Sequence, residues 1–288
     1  MQKLIFIGLA LSALLNLFSI GLKANLQDAT YLFRRPGQLA RALLAMNVLM
    51  PLFAITLISI FDFNPAVKIA LVALSLSPIP PPIPAKMVKT GDTESYAIGL
   101  QVAIGSLAII FVPLAMEIIG RVRHVELHMT IWPVARVILV SVLIPIVLGV
   151  AVHKLAPALA ERVAKPLTAI SGIGLLVCIV AIWIGAAPAM WSLIGNGTVI
   201  AFLAFVLVGL AVGHFLGGPV PENRTSLAIS TASRHPGIAL LLAQANFPEQ
   251  KLVTAAVLLY LIVNAFGSIP YLVWTKRNQT VVENEVAA

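Results

Sequence analysis

Long apolar runs separated by short polar clusters fill this chain from end to end. They lie near 4–22, 38–61, 66–85, 96–119, 133–153, 166–187, 196–217, 225–245 and 252–274. Each is about 20 residues long, enough for an α-helix to cross a ~30 Å hydrocarbon layer. The links between them are too short to fold as soluble domains. The pattern predicts an all-α polytopic membrane protein with about nine transmembrane helices, residues 1–288 forming one membrane domain.

Two runs break the pattern. In Arg224 to Phe247, the polar Arg234 and His235 and the helix breakers Pro236 and Gly237 interrupt an otherwise apolar stretch. A charge at mid-membrane costs about 2.5–3.5 kcal/mol on insertion scales, and a proline removes a backbone donor. The second run ends in SPIPPPIP, where Pro78, Pro80, Pro81, Pro82 and Pro84 exclude α-helix and favour polyproline II. The helix before it, over about 66–77, rises only ~18 Å, too little to cross unaided. The extended segment is expected to complete the crossing within the protein, the alternative being that the helix is a re-entrant stub.

The two breaks occupy matching places. Pro81 precedes the end of the next span at Ile119 by 38 residues, and Pro236 precedes Trp274 by the same distance. Alternation sends the third span inward and the eighth outward. Four spans followed by five therefore read as an inverted repeat lacking its first helix, with repeats at about 4–119 and 133–274 and a tail at 275–288. Paired interrupted spans in corresponding positions point to the binding site of a secondary transporter.

Composition agrees with a membrane protein: 60% of residues are hydrophobic and only 10% charged, and the mean hydropathy is +1.00. The net charge of +8 is explained by membrane sidedness and calls for no nucleic-acid partner. One set of loops carries Lys23, Arg34, Arg35, Lys86, Lys89, Lys154, Arg162, Lys165, Arg224, Lys276 and Arg277, against Lys3, Lys68, Arg121, Arg123 and Lys251 on the other. The positive-inside rule puts the N-terminus outside and the C-terminus in the cytoplasm of a cell membrane. Lys3 before an apolar run resembles a signal peptide, but without a clear cleavage site the run is expected to stay as an anchor. Cys178, the single cysteine, reads as a small core residue.

Phe18 to Pro51, with its Arg-Pro and Met-Pro dipeptides, the Lys-Thr-Gly-Asp turn at 89–92, and Arg224-Thr225 followed by small residues and Gly237 resemble the bile acid:sodium symporter superfamily. The resemblance implies a core domain holding two crossed, broken helices, a panel domain beside it, and carriage of organic anions with sodium. On the same resemblance, the family's sodium ligands fall at Ile83, Pro84, Tyr96, Leu100, Ser230, Arg234 and His235. Few of these offer the oxygen donors sodium needs, so the usual two sodium sites are not expected and no cofactor is called for.

The candidate site is built around Arg234, whose fixed guanidinium replaces a bound sodium or grips a substrate carboxylate or sulfonate. His235 titrates near neutrality and is a candidate for proton coupling. Ser230, Thr231 and Ser233 before one break, and Ser75 and Ser77 before the other, are candidate ligand or ion contacts, or simply hydroxyls bonded within their own helices. Asn47 lies near a family ion ligand. Gln101, Gln244 and Asn264 either line the cavity or join helices. His124 and His128 would share one face of a helix, but they have no third ligand, and their segment reads as an amphipathic linker at the membrane interface. Glu117 and Arg136 lie near span ends, where they either pair or snorkel to the interface. No nucleophile–base pair, carboxylate dyad or metal triad suggests an enzyme. The reading is a secondary transporter of a small organic anion, proton-coupled or facilitated, in a lipid bilayer. The alternative is a sensor that has kept the fold and lost transport.

Overall fold

The computed structural model describes residues 2–84 and 94–277, so the Lys-Thr-Gly-Asp turn, Lys86, Lys89 and most of the tail lie outside the described residues. Most of those described are helical, with no strand among them. Helix α1 is Gln2–Gly21, α2 Pro36–Ile60, α3 Pro65–Leu76, α4 Glu94–Arg123, α5 Ile131–Leu155, α6 Pro157–Trp191, α7 Thr198–Leu216, α8 Pro221–Ala232, α9 Pro236–Asn246 and α10 Val253–Arg277. Six of them, α2, α4, α5, α6, α7 and α10, are long and apolar enough to cross a membrane, making this an integral membrane protein.

Proline at the first helical position recurs, because it lacks an N–H that would be unpaired there and presets φ. It opens α2, α3, α6, α8 and α9. At α3 the Asn64 side chain also accepts from Ala66 N–H at 2.9 Å, capping the helix. Two helices carry π-helical turns, Leu44–Leu49 in α2 and Leu139–Leu143 in α5, each followed two residues later by a proline, Pro51 or Pro145.

Two groups of contacts organise the bundle. Helices α1, α5 and α6 pack on one another. Gly21 of α1 and Gly149 of α5 allow this, since a Cβ on Gly149 would lie 2.5 Å from Phe18 O. The other group joins α2, α3, α7, α8, α9 and α10. Within it, Gly209 and Gly213 of α7 and Gly217 at its C-terminal cap form a stripe against the backbone of α8, the close approach that small residues permit in membranes.

Several expectations need correction. The polyproline segment is not extended throughout: after Ser77 it turns at Pro81 and Pro82 and is helical again at Ile83 and Pro84, because proline is tolerated in a first helical turn. Helix α4 ends at Arg123, where His124 takes φ 53°, and the chain to Thr130 is not helical. His124 and His128 therefore share no helical face. Glu117 pairs with Arg121, one turn away, at 2.9 Å rather than with Arg136. Helix α6 runs through Pro166 and Pro188, well beyond the expected 166–187. Cys178 is half-buried, with Sγ against Gly8 of α1.

Candidate functional site

The two breaks meet. His235 N–H donates to Pro78 O at 2.9 Å, a backbone bond between residues far apart in the chain. α3 ends at Ser77, which is extended, and Ser77 N–H turns back to Leu74 O. α8 ends at Ser233, also extended. The residues between α8 and α9 project alternately to opposite sides, as extended chain requires. Arg234 points one way, toward α2 and the end of α3, while Ser233 accepts from Asn264 Nδ2 of α10 at 3.1 Å.

Arg234 is 1% exposed. Its Nη1 donates to Ser77 O at 3.1 Å and its Nη2 to Met46 O at 3.2 Å, while Nε has no partner among the described residues. Both carbonyls are left open by breaks in backbone bonding. Ser77 is the C-cap of α3, a negative dipole end. Met46 lies in the π turn of α2, where Met50 N–H reaches back five residues to Ala45 O. The next donor in that register would be Pro51, which has no N–H, so Met46 O is open to the guanidinium.

No buried carboxylate lies among the described residues, so oxygen dipoles rather than an ion pair hold Arg234. Burying an ion costs several kcal/mol even after relaxation. Hydrogen bonds to a charged group return about 1.5–3 kcal/mol each, and a helix C-terminus adds up to ~2 kcal/mol in partly buried geometry. These magnitudes are comparable, so the site can hold the cation without a counter-ion. Two main-chain carbonyls, and no acid among the described residues, thus surround the guanidinium.

Neighbouring polar groups close the second break. The Tyr260 hydroxyl donates to Ala232 O at 2.5 Å, and the rings of Phe202 and Phe205 stand edge-on to it at 6.0 and 5.9 Å. His235 caps α9: its Nδ1 accepts from Ile238 N–H at 3.3 Å, leaving Nε2 unpaired among the described residues. That bond assigns the neutral tautomer with the proton on Nε2. A second proton, on Nδ1, would remove the acceptor and break the cap. Gly237, next along α9, is exposed, and α9 also meets α5 of the other helix group.

The remaining candidates divide. Gln101 Nε2 donates to Ile79 O at 3.1 Å, bracing the first break. Ser75, Ser77 and Thr231 donate to carbonyls of their own helices, Val72, Ala73 and Leu227, each at 2.7 Å. Ser230 is fully buried in α8. Asn47 is half-buried in the π turn, and it is the main chain of its neighbour Met46 that Arg234 reaches. Gln244 is exposed near the end of α9, away from the breaks. Tyr260 and the carbonyls of Met46 and Ser77 were missed from sequence. Pro51 was the available signal for the Met46 carbonyl, and the polar tip of Tyr260 within the span at 252–274 for the hydroxyl.

A profile of the Sodium Bile acid symporter family matches residues 10–192, well over half of the chain. The protein belongs to that family. The match takes in the first break and ends before the second. No curated protein matches the chain. Members of the sodium bile acid symporter family are transporters, and meeting helix breaks in an apolar bundle suit that role, because irregular backbone at membrane depth persists only when buried in protein or lining a cavity.

Proposed function

We propose that the protein carries a small organic anion across the membrane by alternating access, with the Arg234 guanidinium standing where a sodium symporter binds its cation. The observation that carries this reading is Arg234 itself, fully buried, unpaired with any acid among the described residues, and bonded to two open carbonyls. In this reading the breaks belong to two crossed helices of an inverted repeat. The group α2, α3, α7, α8, α9 and α10, joined in this reading by α4, forms the core, and α1, α5 and α6 the panel. The anion sits at the start of α9, supported by exposed Gly237, the unpaired Nε2 of His235 and the positive end of the helix dipole. The charge bias supports an outer N-terminus and a cytoplasmic C-terminus.

A built-in cation removes the need for two sodium ions, and the His235 cap opposes uptake of a proton there. Facilitated carriage or exchange is the mode these features support. Purified protein in proteoliposomes is expected to take up members of a radiolabelled panel of small carboxylates and sulfonates at equal rates in sodium and in choline. Saturable binding with no uptake of any panel member would establish the sensor reading instead.

A further inference from the structure

A cavity of about 200 Å³ lies apart from Arg234, at the end of the bundle where α2 finishes and α3 begins. Helices α3, α4 and α9 and the segment after α4 line it with apolar side chains, among them Val72, Met116, Leu242 and Phe247, while Lys68 and Arg123 are its charged members among the described residues. No acid lines it. Lys68 bonds to Asp62 at 2.6 Å, but Asp62 is 99% exposed, so water screens the pair. Among the described residues, Arg123 Nη1 donates to the neutral Ser59 hydroxyl, at 2.9 Å. The mouth is therefore net positive over an apolar interior.

We infer that this cavity is a second anion site, taking an amphipathic monoanion with one carboxylate or sulfonate on an apolar body of roughly six to eight carbons. A dry apolar cavity of about 150 Å³ holds benzene, so this one holds a body of slightly greater size. The acid group replaces the Ser59 hydroxyl on Arg123, where a planar fork matches two oxygens. The proposal deepens the organic-anion reading by naming a ligand class, and rests on that reading only for the ligand's role in transport.

The test is equilibrium dialysis of radiolabelled hexanoate against the full-length protein in lipid nanodiscs, with empty discs subtracted. Saturable binding is expected, displaced by hexanesulfonate, with hexanol and hexylammonium at least about tenfold weaker competitors. Arg123→Gln should weaken it about tenfold. Ala243→Phe, which fills the cavity, and Val125→Trp, which covers its mouth from an exposed position, should each remove it. Arg234→Gln should leave it unchanged, so this site stands even if transport fails. Absence of saturable binding, equal competition by hexanol, binding that survives both blocking variants, or loss with Arg234→Gln would each overturn the site.

Discussion

Arg234→Ala is expected to reduce organic-anion uptake into proteoliposomes to the level of empty vesicles while the protein still elutes as a folded species. The substitution leaves Ser77 O and Met46 O without their donor, at a cost of about 1–3 kcal/mol each. It also removes the desolvation penalty of a buried guanidinium, several kcal/mol of opposite sign. The terms are close in size, so the fold survives and the loss falls on function. Arg234→Lys should fail too, by at least about tenfold, because a single ammonium cannot span two carbonyls as a planar fork does. Uptake by Arg234→Ala within twofold of the parent would show that the guanidinium is structural only.

The second large effect belongs to the α7–α8 contact. A Cβ on Gly213 would lie 2.5 Å from Leu227 O and 2.6 Å from Ala228 N, so the obstacle is backbone, which cannot move aside as a flexible side chain does. Overpacking commonly costs 1–3 kcal/mol where side chains can yield, so Gly213→Leu should lie at or beyond the top of that range, about 3 kcal/mol. Recovered folded protein, read by size-exclusion chromatography, should fall more than tenfold. Gly185→Ala in α6 is the control. Nothing lies within 4 Å of its added Cβ, and replacing a helical glycine there should gain about 0.5–1 kcal/mol. Similar recovery of the two variants would refute the close contact.

The broken spans were legible because polar residues and prolines stand out in an apolar run. Arg234, His235 and Pro236 mark a position where a bilayer tolerates nothing without a structural reason, and the structure brings that position against Pro78. The partners of Arg234 were not legible, since both are main-chain carbonyls and a sequence displays side chains. Only Pro51, by withholding an N–H, announces the open Met46 carbonyl. The glycines at 209, 213 and 217 were present as a four-residue repeat, yet only a neighbouring backbone gives such a repeat meaning. The His124–His128 reading failed because spacing implies a shared face only while the helix continues, and His124 leaves helical φ. The sixth run was expected to start near 166, whereas α6 begins at Pro157 and passes through Pro166. In a membrane the one lost backbone bond can be made good by local adjustment, and no water competes for the rest.

Sodium binding tests the central claim most directly. Purified protein in nanodiscs, incubated with ²²Na⁺ and read by scintillation proximity, is expected to show no saturable sodium binding, because the guanidinium already holds the Ser77 and Met46 carbonyls. Saturable, stoichiometric ²²Na⁺ binding by the unmodified protein would contradict the account.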